Sequence, residues 1–180
     1  MTKALIVIDI QQAFLHPSWG ERNNPLAEEN GQALLKKWRK SSLPIIHIQH
    51  TSEKKESLFY RGSEGHSFRE GFEPLEGEPV FQKYVNSAFI GTDLKDYLGK
   101  LQIKELVIFG LTTPHCVSTT VRMAGNFGFQ VELVEDATAA FERQGLKGEH
   151  YSAEQIHQTE LAILSNEFAT IVYTDELLKK

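Results

Sequence analysis

Unbroken apolar runs and helical stripes take turns along this chain. Ala4-Leu-Ile-Val-Ile8 is apolar without alternation and rich in branched residues, as a strand covered on both faces of a parallel sheet must be. It ends in Asp9. Asn24-Pro25 then opens a helix, a capping side chain followed by a residue whose missing N–H costs nothing at that position. Its apolar face is Leu34, Leu35 and Trp38, and it stops near Ser41-Ser42. Pro44 to Gln49 reads as a second strand and Val80 to Val85 as a short third one carrying Lys83. Thr92 caps a helix whose Leu94, Tyr97, Leu98 and Leu101 fall at i, i+3, i+4 and i+7. Leu106 to Gly110 is a fourth strand, and Val117, Val121 and Ala124 mark the helix after it, closed at Gly128. Phe129 to Val134 is a fifth strand ending in Glu135-Asp136. Ser152-Ala-Glu-Gln155 is a capping box before a helix with Ile156, Ile163 and Leu164 inward. Phe168 to Tyr173 is the last strand, followed by a short polar turn. Strands alternating with helices predict the α/β class, with a mostly parallel sheet of about six strands.

Between these elements lie stretches without a period. Gln11 to Asn24 is loop-like, with Pro17, Gly20 and paired asparagines. From His50 to Pro79, Lys, Glu, Ser and Gly dominate, with aromatic islands at Phe59-Tyr60, Phe68 and Phe72. A loop of that length inside a compact domain is usually functional or mobile. Its aromatics first read as pins that hold the loop down, and second as a wall over a pocket, of this chain or of a neighbour. Ala137 to Tyr151, with Gly145 and Gly148, is a second candidate rim.

Bulk composition narrows the class. The 180 residues suit one domain, expected to span 1–180, with a core large enough to need no staples. A net charge of −5 leaves no basic footprint, which argues against nucleic acid and anionic membrane surfaces as partners. The single cysteine rules out an internal disulfide and fits a reducing compartment. The first apolar run is too short for a signal segment and no run reaches the length of a membrane span. A cytoplasmic protein acting on a small molecule is the expectation.

That one cysteine carries the chemistry. Thr113-Pro114 reads as a helix opening, with the Thr113 hydroxyl as cap, and so places Cys116 in the first helical turn after a buried strand. Free N–H groups and the helix dipole there favour a thiolate, lowering a pKa of about 8.5 to roughly 7 or below. The strand-to-helix turn also offers backbone N–H groups to an oxyanion. A lone cysteine is more often a small buried hydrophobe, but ligands of open α/β sheets bind at the carboxyl ends of strands, and Cys116 follows one. Asp9 and Lys83 sit at or near two others. A carboxylate can take the thiol proton and return it to a leaving amine, and an ammonium favours both anions. Each has a plainer role available: Asp9 as a turn cap, Lys83 as an edge-strand charge.

Three blocks together resemble the isochorismatase-like cysteine hydrolases: Val7-Ile-Asp9-Ile-Gln11-Gln-Ala-Phe14, Gln82-Lys83-Tyr-Val-Asn-Ser-Ala-Phe89 and Gly110-Leu-Thr-Thr-Pro-His-Cys116-Val. Gly91-Thr-Asp-Leu94 and Val134-Glu-Asp136-Ala extend the likeness over nearly the whole chain. The resemblance implies a three-layer α/β/α sandwich of Rossmann-like topology, with Cys116 as nucleophile, Asp9 as its base and Lys83 as the charge that holds both. It also implies a cis peptide between Leu111 and Thr112, which would aim the N–H groups of Thr112 and Cys116 at an oxyanion, with Thr113–Pro114 trans. A homo-oligomer, dimer or larger, is the family habit. Phe14, Trp19 and Phe89 are candidate pocket walls, and so is His50, the alternative for it being a hydrogen-bonded strand-end histidine.

The chain departs from family patterns in two places. Gln12-Ala13-Phe14 stands where many relatives carry Asn-Asp-Phe. The nicotinamidase metal site, an Asp-Trp-His with a further His, is replaced by Gln49-His50-Thr51-Ser52. His47 and His50 lie three apart on a strand and point to opposite faces, so a metal would need His50 and His66 to converge. No metal and no cofactor are expected, and no Gly-x-Gly-x-x-Gly follows the first strand. The presence of Cys116 favours the amidase branch over the vinyl-ether hydrolases, which do not depend on it. The alternatives are that vinyl-ether chemistry and a non-catalytic binding member.

Overall fold

The computed structural model describes residues 3–179. Its centre is a six-stranded parallel sheet of β1 (Lys3–Ile8), β2 (Ile45–His50), β3 (Val80–Lys83), β4 (Glu105–Leu111), β5 (Gln130–Ala139) and β8 (Thr170–Val172), in the lateral order β3-β2-β1-β4-β5-β8. A small antiparallel ribbon, β6 (Arg143–Gln144) with β7 (His150–Tyr151), stands apart from it. The helices are α1 (Ala27–Lys40), α2 (Leu94–Lys100), α3 (Ser118–Asn126), α4 (Ala153–Leu164) and α5 (Thr174–Lys179).

Side chains of β1 alternate between two cores, as a strand's pleat dictates. Ala4, Ile6 and Ile8 join Leu98 of α2, Val121 of α3 and Leu161 of α4. Leu5 and Val7 join Leu34 and Trp38 of α1 and Leu177 of α5. The sheet therefore lies between two helical layers, and its strands read as continuous apolar runs because both faces are covered. Gly31 lets α1 close onto the sheet: a Cβ there would stand 2.6 Å from a Phe109 ring carbon. No helix among the described residues is long and apolar enough to cross a membrane.

The chain runs outward from β1 to β3, then crosses to β4 and continues through β5 to β8. The direction reverses between β1 and β4, so the carboxyl ends of those strands form the crevice where open sheets bind ligands. Gly110 is needed at that seam. Its φ is +138°, and a Cβ would sit 2.1 Å from the Ile8 carbonyl oxygen.

Several boundaries differ from the sequence reading. β3 stops at Lys83, and the last turn is a helix, α5. β5 runs on to Ala139, because its pairing with β4 slips from Ile108–Leu133 to Gly110–Thr138 and the acids fall inside the bulge. α1 starts at Ala27. Asn24 does not cap it with its side chain, and donates instead to the Glu135 and Thr138 carbonyls at 3.0 and 2.7 Å. The buried face of α4 is Ala153, His157, Leu161 and Leu164, with Ile163 exposed and Ile156 only half-buried. Leu101 of the second predicted stripe is also exposed.

The long loop between β2 and β3 is held by two kinds of contact. Phe72 is fully buried against Phe109, and Phe68 packs edge-on to His47, so these rings pin the loop. Glu78 is the polar anchor. Burial would raise its pKa, but hydrogen bonds from Arg39, the Leu75 amide and His47, and the Arg39 charge, hold it at about 2. Phe59 does something else: it faces the site.

Candidate active site

Asp9 follows β1 directly, His50 ends β2 and Lys83 ends β3, while Cys116 lies in the turn after β4. Four neighbouring strands thus deliver one group each to the same end of the sheet. Asp9 adopts φ +51°, a left-handed conformation that Asp tolerates better than most residues. Its amide still bonds the Ile48 carbonyl at 3.0 Å, so the carboxylate turns in while the backbone stays paired.

Lys83 is the hub. Its ammonium donates to Asp9 Oδ2 at 2.7 Å, to Cys116 Sγ at 3.1 Å and to His50 Nδ1 at 3.1 Å. An ammonium has three N–H donors, and here each has an acceptor. Burial alone would pull the Lys83 pKa down, but the Asp9 charge and the hydrogen bonds to Asp9 and Cys116 overrule it and raise it. The reading of Lys83 as an exposed edge charge is excluded by its full burial. Burial lowers the pKa of His50, and the Lys83 charge adds to this. The neutral ring accepts on Nδ1 and so carries its hydrogen on Nε2.

Cys116 corrects one expectation. Burial first, then the neighbouring Asp9 charge, push its thiol pKa up from the ordinary value rather than down, with Lys83 offsetting only part. The helix opening is also looser than expected. Residues Thr113–Val117 form a wide π-type turn with Thr112 at its cap position and no side-chain cap. The Thr113 hydroxyl is used elsewhere, 2.7 Å from His157 Nδ1. Asn24 Nδ2, whose two hydrogens go to the Glu135 and Thr138 carbonyls, also lies 3.3 Å from His157 Nε2. This buried chain ties the Cys116 turn to α4 and to the loop before α1. The peptide bond between Leu111 and Thr112 is cis.

Asp9 Oδ1 is buried and has no hydrogen-bond partner among the described residues. An Asp9 oxygen, a His50 nitrogen and Cys116 Sγ all lie within 4.8 Å of one another. This is a donor set that a metal could use, but the Lys83 ammonium already bonds all three residues. His66 is not in that set, and its Nε2 pairs with Thr51 Oγ1 at 3.0 Å. Gln11 ties the His66 segment to β2: its Nε2 donates to the His50 and His66 carbonyls, and its Oε1 accepts from the His50 amide.

These groups open into a cavity of about 190 Å³ lined by Asp9, Phe14, Trp19, His50, Phe59, Asn86, Thr112, His115, Cys116 and Arg143. That is below the size of drug-binding pockets and suits a small molecule. A groove of about 410 Å³ lies at the opposite, amino end of the strands, lined by Lys3, Glu105 and Glu132 among others, and holds no cysteine. Phe14, Trp19 and His50 line the cavity as expected from sequence. Phe89 does not: it packs on Phe127 and Phe129 in the core, with ring centroids 5.3 and 6.2 Å away. Asn86, His115 and Arg143 were missed by sequence reasoning. Asn86 sits in the Lys83 block, its Oδ1 3.8 Å from Cys116 Sγ, and His115 adjoins the cysteine, so position in those blocks was the available signal. Arg143, in an aperiodic stretch, offered none.

Known proteins share this architecture. The Isochorismatase domain family model matches residues 3–176. The isochorismatase-family protein YrdC of Bacillus subtilis is 50% identical over 176 residues, covering 98% of this chain and 94% of its own. Nicotinamidase 3 of Arabidopsis thaliana is 28% identical, over 97% of this chain and 86% of its own. The crystal structure of an isochorismatase-family protein from Chromobacterium violaceum superposes with a TM-score of 0.97 at 42% identity, covering 99% of this chain and 92% of that one. The chain belongs to the isochorismatase family of hydrolases.

Proposed function

We propose that this hydrolase cleaves a small amide or related C–N bond, with Cys116 as nucleophile, Asp9 as general base and acid, and Lys83 as the fixed charge between them. The observation that carries the reading is the buried Lys83 ammonium bonded at once to Asp9 and Cys116, both of which line the cavity. A thiol whose pKa is raised by burial, beside a carboxylate oxygen with no partner among the described residues, favours proton transfer during attack over a standing thiolate.

Asp9 takes the thiol proton as sulfur bonds to the carbonyl carbon. The N–H groups of Thr112 and Cys116 stabilise the oxyanion. The C–N bond breaks and the amine leaves with the proton from Asp9. Water, deprotonated by Asp9, then attacks the thioester, and sulfur leaves and regains its proton. The sum is amide plus water giving acid plus amine. Lys83 stays an ammonium throughout.

The test is ammonia release from a panel of small primary amides and ureides, nicotinamide among them because a relative bears that activity in its name, with isochorismate alongside. Ammonia from at least one amide, with isochorismate untouched, is expected. Isochorismate turnover with no ammonia from any amide would contradict the reading.

A further inference from the structure

One charged group in the cavity has no part in the chemistry above. Arg143 opens β6 at the cavity rim, and its guanidinium lies 5.9 Å from the Trp19 ring centroid. Among the described residues its one hydrogen bond is from Nη1 to the Glu142 carbonyl at 3.3 Å, and it has no ion pair. The acids nearby are taken. Glu142 bonds His150 at 2.7 Å and the Glu21 amide at 3.0 Å. Glu160, whose charge His115 feels together with that of Arg143, bonds Arg122 at 2.8 Å and also Ser118.

The charges of the site therefore do not cancel. Asp9 is matched by Lys83, the His50 ring accepts from Lys83 on Nδ1, burial and the Arg143 charge lower the pKa of His115, and Arg143 remains, in a chain whose net charge is −5. The rest of the wall is uncharged: the rings of Phe14, Trp19 and Phe59, with Asn86 and Thr112. His50 adds a donor: with Nδ1 accepting from Lys83, its Nε2–H finds no protein partner among the described residues. A planar cation that is not already paired, beside flat rings and a spare N–H, is a setting for a carboxylate, which arginine binds through two parallel hydrogen bonds.

We propose that Arg143 is the anion-binding residue of this site, and that the substrate is a small amide bearing a carboxylate, held by its acid at Arg143 with its amide carbonyl at Cys116. The amide part rests on the function proposed above. The anion site does not, and can be read without turnover.

The experiment compares alkylation of Cys116 in the intact protein by iodoacetate and by the neutral iodoacetamide, followed by mass. Small thiols react faster with iodoacetamide. Wild type is expected to reverse that order. Arg143→Met, which keeps the stem over Trp19, should move the ratio of the two rates towards iodoacetamide by about tenfold or more, and Arg143→Lys should restore part of it. Iodoacetamide remaining faster in wild type, or a ratio unmoved by Arg143→Met, would overturn the anion site. The substrate half is tested with succinamate against butyramide, which differ by the carboxylate. A kcat/KM ratio favouring succinamate by about tenfold or more, lost in Arg143→Met mainly through KM, is expected. A ratio near unity would overturn it. Reversed alkylation with succinamate not hydrolysed, while an uncharged amide of the panel releases ammonia, would leave the anion site standing and overturn the carboxylate-bearing substrate.

Discussion

Replacing Asp9 by asparagine is expected to lower kcat by about 10²–10⁴-fold, the range a general acid–base group supplies, while making Cys116 easier to ionise. The two effects have opposite signs because Asp9 acts on the sulfur in two ways. Burial and its charge raise the pKa of the thiol, yet in the proposed mechanism it is also the group that accepts the proton and hands it to the departing amine. The Asp9→Asn variant would leave Lys83 donating to the sulfur, a bond of 3.1 Å in the wild type, with no carboxylate opposing it, so the thiolate gains. The pH midpoint of iodoacetamide alkylation should therefore fall in Asp9→Asn while turnover of the amide found by the panel is lost. A midpoint that stays put or rises would mean that Asp9 does not govern the sulfur.

Lys83→Met is expected to destabilise the fold by about 3–5 kcal/mol, the usual cost of leaving one buried charge without its partner. Asp9 is fully buried, its Oδ2 is bonded to Lys83 and its Oδ1 has no partner among the described residues. For a domain of this size that cost corresponds to a fall in Tm of roughly 10 °C. Burial of methionine in place of the lysine stem keeps the packing, so the penalty is the orphaned carboxylate. The double variant Asp9→Asn with Lys83→Met should recover most of it, because no buried charge is left. Thermal melts of the two single variants and the double one measure this coupling. A double variant as unstable as the two losses added together would contradict a buried ion pair at the centre of the site.

The strands were legible because a sheet covered on both faces demands continuous apolar runs, and Ala4–Ile8 and Leu106–Phe109 are such runs. The face of α4 was not, because its buried stripe contains His157. A polar residue in a core position hides the phase, and the neighbouring Ile156 and Ile163 suggest another. Glu135-Asp136 read as a strand end for a similar reason. Both acids are satisfied locally, Asp136 by the Thr174 amide and hydroxyl and Glu135 by Gln158, so the strand tolerates them in its bulge. At the site, Asp9, Lys83 and Cys116 stood out because each sits on or follows a strand legible in the sequence. That His50 takes the third hydrogen of Lys83 depends on the lateral order of β1, β2 and β3, which sequence spacing does not encode. Phe89 misled because an aromatic beside a motif reads alike whether it lines a cavity or fills a core.

The most direct test of Cys116 as nucleophile is intact mass after acid quench during turnover of the amide the panel identifies. Wild type should show an added mass equal to the substrate less its amine, carried on Cys116 and removed by hydroxylamine. Cys116→Ala should show no adduct and release no ammonia. Turnover that persists in Cys116→Ala would contradict a covalent mechanism at this cysteine.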